Sequence, residues 1–239
     1  VSWHTGRMAA FDLETTGVDV EEDRLITGAV VEVGGGQRAV TQAWMCNPGL
    51  PIPRAATKVH HITDAQARVA PPAAEVVPRI AQAIVAQARA GRPLIVMNAP
   101  FDLTLLDREL RRHGLPSLAE QLGDTDLHVI DPLLIDRQLD RYRKGARTLT
   151  DLCAHYGVTI ERAHTADGDA LAAARLVGAV ARWFPQLQRW SVEYLHWQQV
   201  EWARQQAPGR QEYLRRRNPS AVVSGDWPLI PRTRTGGGR

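Results

Sequence analysis

A chain of 239 residues can build one sizeable domain with an appendage, but not two full enzymatic domains. Hydrophobic residues at 44% and charged residues at 23% are ordinary for a globular protein, and no apolar run approaches the roughly 20 residues that span a bilayer. The net charge of +3 is unevenly spread: from Pro185 onward there are nine Arg against four acidic residues, while the earlier part holds 20 basic and 22 acidic. Val1 to Arg7 is polar and leads straight into a strand, which predicts no signal peptide. Cys46 and Cys153 lie far apart without ligand spacing, read as packed thiols of a reducing compartment, and so point to the cytoplasm.

Three strands are predicted first: Arg7–Leu13, Arg24–Val33 and, after the Gly34-Gly35-Gly36 turn, Arg38–Cys46. Their short connections favour an antiparallel meander. Asn47–Pro53 reads as a loop. Ala73–Ala90 has a helical pattern stopped by Gly91, with Pro78 implying a kink or a later start. Leu94–Met97 is a buried strand, Phe101–His113 an amphipathic helix stopped by Gly114, and Leu127–Ile130 another short strand. Arg147–Tyr156 and the Ala-rich Ala166–Phe184 read as helices. A meander followed by strand–helix alternation implies an α/β fold with a mixed sheet flanked by helices.

Beyond residue 184 the organisation changes. Leu187, Trp190, Tyr194 and Trp197 recur at helical spacing, an apolar seam that would pack on the main domain or on a second subunit, making a homodimer. A basic helical extension over 185–217 and an irregular, partly disordered tail over 218–239 are expected. The Arg surplus suits a polyanionic partner, although a solvated Arg-rich helix is the plainer reading.

Three short motifs carry chemistry. Asp12-Leu13-Glu14 ends the first strand, and alternation puts both carboxylates on one face, about 6–7 Å apart at Cα. Asn98-Ala99-Pro100-Phe101-Asp102 follows a buried strand and places an acid at a helix start. His164 lies five residues before Asp169, so a loop histidine and a first-turn carboxylate can face one cleft. Singly, each has a bland reading as strand-end acid or helix cap.

Together, and in this order, they resemble the DEDD exonuclease family in its histidine branch (DEDDh), which includes the epsilon proofreading subunit of bacterial replicative polymerases. Asp12, Glu14, Thr15, Thr16 and Gly17 match its first motif, Asn98, Phe101 and Asp102 its second, and His164 and Asp169 its third. Thr165 stands where the sibling branch has a tyrosine. Ala56–Thr63 is similar to the family's loop near the terminal nucleotide, with His60 matching its histidine. His61 stands where a glycine, free to adopt positive φ, is usual. Asp131 resembles a structural aspartate, and Asp167 is a rival to Asp169 that motif spacing disfavours.

The resemblance spans roughly residues 7 to 182 and implies a ribonuclease-H-like fold with a five-stranded mixed sheet. It implies two divalent cations, Mg²⁺ or Mn²⁺, held by Asp12, Glu14, Asp102 and Asp169, with His164 as general base. Four carboxylates converging at about 5 Å would repel by roughly 20 kcal/mol at an effective dielectric near 20, so cations or protons must be taken up. Thr15, Gly17, His60 and Phe101 would border the 3′-terminal nucleotide. The implied activity is 3′→5′ cleavage of single-stranded DNA from its 3′ end, free-standing or beside a polymerase partner, with no membrane. An exoribonuclease of the same family and a non-catalytic nucleic-acid-binding module are the alternatives.

Overall fold

The computed structural model describes residues 3–232. Apolar runs form β1 (Arg7–Thr15), β2 (Leu25–Gly34) and β3 (Val40–Met45), paired antiparallel in sequence order. The short strands β4 (Leu94–Ile95) and β5 (Val129–Ile130) add in parallel on the other side of β1. The order β3-β2-β1-β4-β5 is the expected mixed sheet, with β1 at its centre. Both edges of β1 are hydrogen-bonded, so the side chains it carries are held in place.

The helices are α1 (Arg54–His60), α2 (Asp64–Arg68), α3 (Ala73–Arg89), α4 (Ala99–Arg112), α5 (Leu118–Leu122), α6 (Pro132–Leu139), α7 (Leu149–His155), α8 (Ala166–Trp183) and α9 (Val192–Arg215). A Cβ built on Gly28 of β2 would meet Leu13 of β1 and Ile80 of α3, so odd-numbered β1 residues face α3. Asp12 and Glu14 therefore point to the opposite face, where α8 crosses β1 and β2. Buried Ala170, Ala173, Ala174 and Ala181 let α8 lie close to that face.

Several expectations need correction. α3 starts at Ala73 and runs through Pro78; the ring sits early enough that only the Ala74 carbonyl forgoes its helical partner. α1, α2, α5 and α6 have five to eight residues each, too short to show a period in the sequence. β4 and β5 are two residues long: the chain turns after β4 at Asn98, left-handed at φ 64°, and after β5 at Asp131, the N-cap of α6.

The seam proposed beyond residue 184 is only half right. Leu187 is buried and Trp190 packs on the core, but Leu187 lies in a separate turn that ends at Trp190, before α9 starts with Ser191 as its cap. Within α9, Tyr194 and Trp197 are exposed, and Leu195, Gln199 and Trp202 are the buried face. The helix thus rotates its aromatic stripe outward, and it docks through a polar residue: Gln199 accepts from the Asp131 N–H at 2.7 Å and donates to the Val129 carbonyl at 2.9 Å.

Residues 218–232 form no helix or strand, yet they are pinned. Trp227 is buried against the His196 ring, the Ile230 N–H donates to Thr104 Oγ1 at 3.0 Å, and Arg108 donates to the Ile230 carbonyl at 3.1 Å. The rest of the expected tail, 233–239, lies outside the described residues. Cys46 and Cys153 are free and buried, and burial pushes their thiols up to about 12 and about 11, which makes them inert. No described helix is long and apolar enough to cross a membrane.

Candidate active site

The site forms where β1 ends. Pairing with β2 shifts register between Glu14 and Thr15, a bulge that turns the chain into the 16–24 loop. Asp23 holds this loop: its carboxylate accepts from Thr16 Oγ1 at 2.7 Å and from the Asp19 N–H at 2.8 Å. A Cβ on Gly17 would approach that carboxylate to 2.4 Å, so any side chain there would displace Asp23 from these bonds. Thr15 Oγ1 donates to the Gly17 carbonyl at 2.6 Å and closes the turn. Nothing in the sequence singles Asp23 out, because it sits in a run of surface acids.

Asp169 comes from the first turn of α8. The Thr165 hydroxyl caps that helix by accepting from the Gly168 N–H at 3.2 Å. The preceding loop folds back so closely that a Cβ on Gly168 would collide with the Arg162 carbonyl. His164 is left-handed at φ 61°, and its N–H lies 3.2 and 3.3 Å from the two Asp169 carboxylate oxygens. The loop that orients the histidine is therefore tied to the acid beside it. Asp167 is engaged elsewhere, in an ion pair with Arg162.

One carboxylate oxygen from each of Asp12, Glu14 and Asp169 lies within 4.8 Å of the others. Asp102 stands slightly apart. It is 3% exposed, and its Oδ1 accepts from the Leu13 N–H at 3.0 Å, which ties the start of α4 to β1 between the two strand acids. The resemblance implied four metal-holding carboxylates, with Asp102 set apart for a second cation; the structure groups the other three and has one Asp102 oxygen bracing β1.

Crowding is visible in the protonation equilibria. Burial, then Asp102, Asp169 and Glu14, raise the Asp12 carboxyl well above its ordinary value. Burial and the Asp169 charge push Glu14 up to about 7. Burial also raises Asp102 and Asp169, against the backbone donors from Leu13 and His164. Three pairs at this separation repel by about 10 kcal/mol at an effective dielectric near 20. No Lys or Arg side chain hydrogen-bonds to the three acids among the described residues, so protons or a cation must relieve them. An all-carboxylate set with room for water suits a hard divalent cation.

Beside the cluster lies a cleft of about 340 Å³, lined among others by Glu14, Trp44, His60, Ile62, His164 and Asp167. His60 is buried; its Nδ1 accepts from the Ile62 N–H at 3.0 Å, and its Nε2 has no hydrogen-bond partner. Burial and the His61 charge lower its pKa, which favours the neutral ring. His61 takes φ 60° itself, so the left-handed turn survives without glycine. Phe101 does not share this cleft. It is half-buried in the wall of a second cavity, with Val18, Arg137 and Trp227.

Asp131 supports the second motif from behind. Its carboxylate accepts from the backbone N–H groups of Asn98, Ala99 and Leu133 at 2.9–3.1 Å and of Leu134 at 3.3 Å, capping α4 and α6 together. The structural role expected of it is the one it has. Gln199, which holds its backbone N–H, was not foreseen, because it lies far along the chain in α9.

Fold and site together define a ribonuclease-H-like domain with an acidic cluster at the end of its central strand. The sequence profile of the exonuclease family (RNase_T) matches residues 9–177. The chain belongs to this exonuclease family, in line with the epsilon-like resemblance read from its motifs. It is 35% identical over 169 residues to a DNA polymerase III subunit epsilon-like protein of Rhodobacter capsulatus, covering 69% of this chain and 22% of that protein. It is 31% identical over 163 residues to the DNA polymerase III subunit epsilon of Treponema pallidum, covering 67% of this chain and 70% of that one. A PolC-type DNA polymerase III of Lacticaseibacillus paracasei is 31% identical over 172 residues, covering 72% of this chain and 11% of the polymerase. The chain thus spans a minor part of some of the curated relatives it matches. Escherichia coli exonuclease I in complex with a dT13 oligonucleotide shares the fold with a TM-score of 0.64 at 19% identity, over 76% of this chain and 42% of that one.

Proposed function

We propose that the chain is a divalent-metal-dependent 3′→5′ exonuclease that removes nucleoside monophosphates from single-stranded DNA. The observation that carries this reading is the convergence of Asp12, Glu14 and Asp169 within 4.8 Å, with the Glu14 carboxyl raised to about 7. Asp12, Glu14 and Asp169 would hold one Mg²⁺ or Mn²⁺, and Asp102 with Asp12 would help hold a second. Cations bound there neutralise charge on the reacting phosphate and lower the pKa of bound water.

The remaining roles belong to the protein. The His164 imidazole, exposed on the loop that Asp169 anchors, takes the proton of the attacking water. The neutral His60 ring, Thr15 and the Gly17 turn border the terminal nucleotide, and Phe101 borders it from the side of the second cavity. DNA is favoured over RNA because the relatives carry the names of DNA polymerase subunits, and exonuclease I is described with oligo-dT. The same relatives support work beside a polymerase, in proofreading or repair. Buried free thiols agree with a cytoplasmic setting.

The test uses 5′-labelled single-stranded DNA and RNA with Mg²⁺, with EDTA and Asp12→Ala as controls. A ladder shortening from the 3′ end, absent in both controls, is expected. Cleavage that survives either control, or that starts internally, would sink the reading. Equal or faster shortening of RNA would replace DNA by RNA as the substrate.

A further inference from the structure

The second cavity, about 360 Å³, lies across the 16–24 loop and the start of α4 from the acidic cluster. That volume falls within the roughly 300–1,000 Å³ of small-ligand sites. Much of its wall comes from residues beyond the family match, which ends at residue 177: Gln206, Arg210 and Leu214 of α9, and Val222 to Trp227 of the segment behind it. The extension therefore adds a concavity that the family's common core does not contain.

Its polar groups do not satisfy one another. Arg137 from α6 and Arg210 from α9 both line it, and neither makes a hydrogen bond or ion pair among the described residues. Burial, then the Arg210 charge, pushes the Arg137 guanidinium down to about 10, and Arg210 stands at the open side of the cavity. Trp227 is 6% exposed, and its Nε1–H is buried without an acceptor.

Three acids are nearby. The Asp131 and Asp136 charges favour the charged Arg137, and the Asp131 charge favours the charged Arg210. Among the described residues none forms an ion pair with either guanidinium, and Asp136 is held by Arg143 and Arg147. The Asp131 carboxylate is occupied by four backbone N–H groups. Asp226 is at the exposed rim and accepts from the Ser224 hydroxyl at 2.7 Å. Val18, Phe101, Leu134 and Leu214 supply apolar wall. Donors without acceptors beside an apolar surface suit an anion carried on an apolar ring.

We propose that this cavity is a second nucleotide site, with a phosphate held between Arg137 and Arg210 and the base against the Phe101 side of the wall. The choice of a nucleotide among amphipathic anions rests on the exonuclease reading. The phosphate belongs either to a free nucleoside monophosphate, the product of the reaction, or to the strand being shortened.

The full chain in EDTA, where no cleavage occurs, is titrated with inorganic phosphate, dAMP and a short thymidine oligonucleotide. Arg137→Gln and Arg210→Gln are each expected to weaken binding by about tenfold or more, because a charge-assisted contact is lost. Arg210→Lys should recover part of the affinity. Loss of dAMP binding identifies free nucleotide as the ligand; loss confined to the oligonucleotide identifies the strand. The Arg210 side chain is exposed, so thermal melting of Arg210→Gln is expected to match the parent and to keep the comparison valid if Arg137→Gln folds poorly. Absence of binding by the parent, or unchanged affinity of Arg210→Gln for all three ligands, overturns the proposal. Failure of the exonuclease reading would show separately, as no cleavage in Mg²⁺ with arginine-dependent binding intact.

Discussion

Asp12 and Asp131 are both aspartates at strand ends of one sheet, on β1 and just after β5 with β4 between them, yet their surroundings are opposite. Asp131 accepts from four backbone N–H groups and joins two helix starts. Asp12 meets Glu14 and Asp169, and its carboxyl is raised by burial and by three neighbouring acids. One carboxylate finds its compensation inside the protein; the other needs it from outside. The difference teaches where stability is stored and where it is given up for chemistry.

The largest expected effect separates the two. Asp12→Asn should abolish 3′→5′ shortening while raising the melting temperature of the metal-free protein, because one repelling charge is gone. A lowered melting temperature would mean that the cluster is a structural asset rather than a strained one. His164→Ala should lower kcat by about 100- to 10,000-fold, the range of a lost general base, with oligonucleotide affinity in EDTA unchanged. Single-turnover kinetics beside anisotropy titration checks this, and a parallel loss of affinity would move His164 from chemistry to binding.

Asp131→Ala should behave the other way. Buried N–H groups left without an acceptor cost about 3 kcal/mol or more in a urea titration, and activity falls only as folded protein is lost or as α4 shifts. If Asp131→Ala melts like the parent, the capping role is wrong.

The smallest effect is one of pH. Glu14 titrates at about 7 in the fold against an ordinary value of 4.5, so between those values the folded state holds the extra proton. Stability of the metal-free protein should therefore fall as pH rises from about 4.5 through about 7. Millimolar Mg²⁺ or Glu14→Gln should flatten that slope in thermal melts. A metal-free stability that rises over the same interval would contradict the raised carboxyl.

Much of the site was legible because its chemistry is local. Asp12 and Glu14 share a face by strand alternation, and His164 reaches Asp169 through a capped helix start; both relations need only a few residues. Asp102 was legible as a site acid, but not as the brace that accepts the Leu13 N–H across 89 positions. Gln199 was invisible for the same reason, its partners being distant backbone groups that no spacing rule can locate. Asp23 was instead hidden among the surface acids of its own loop. The aromatic stripe beyond residue 184 shows the opposite failure, since its period was real but its phase was set by Ser191 starting a new helix.

From the sequence alone came the mixed sheet, the order of the motifs, the branch marked by His164 and the identity of the acids. Those rest on hydrophobic period and residue type, which the chain carries locally. Tertiary structure alone decided that three acids crowd while the fourth braces β1, and that Asp131 joins two helices. It also decided that α9 and the segment behind it close a cavity around Arg137 and Arg210. These depend on which backbone donors and charges are brought together from distant parts of the chain. The contrast between Asp12 and Asp131 is of that kind: the same side chain, distinguished only by what folding places beside it.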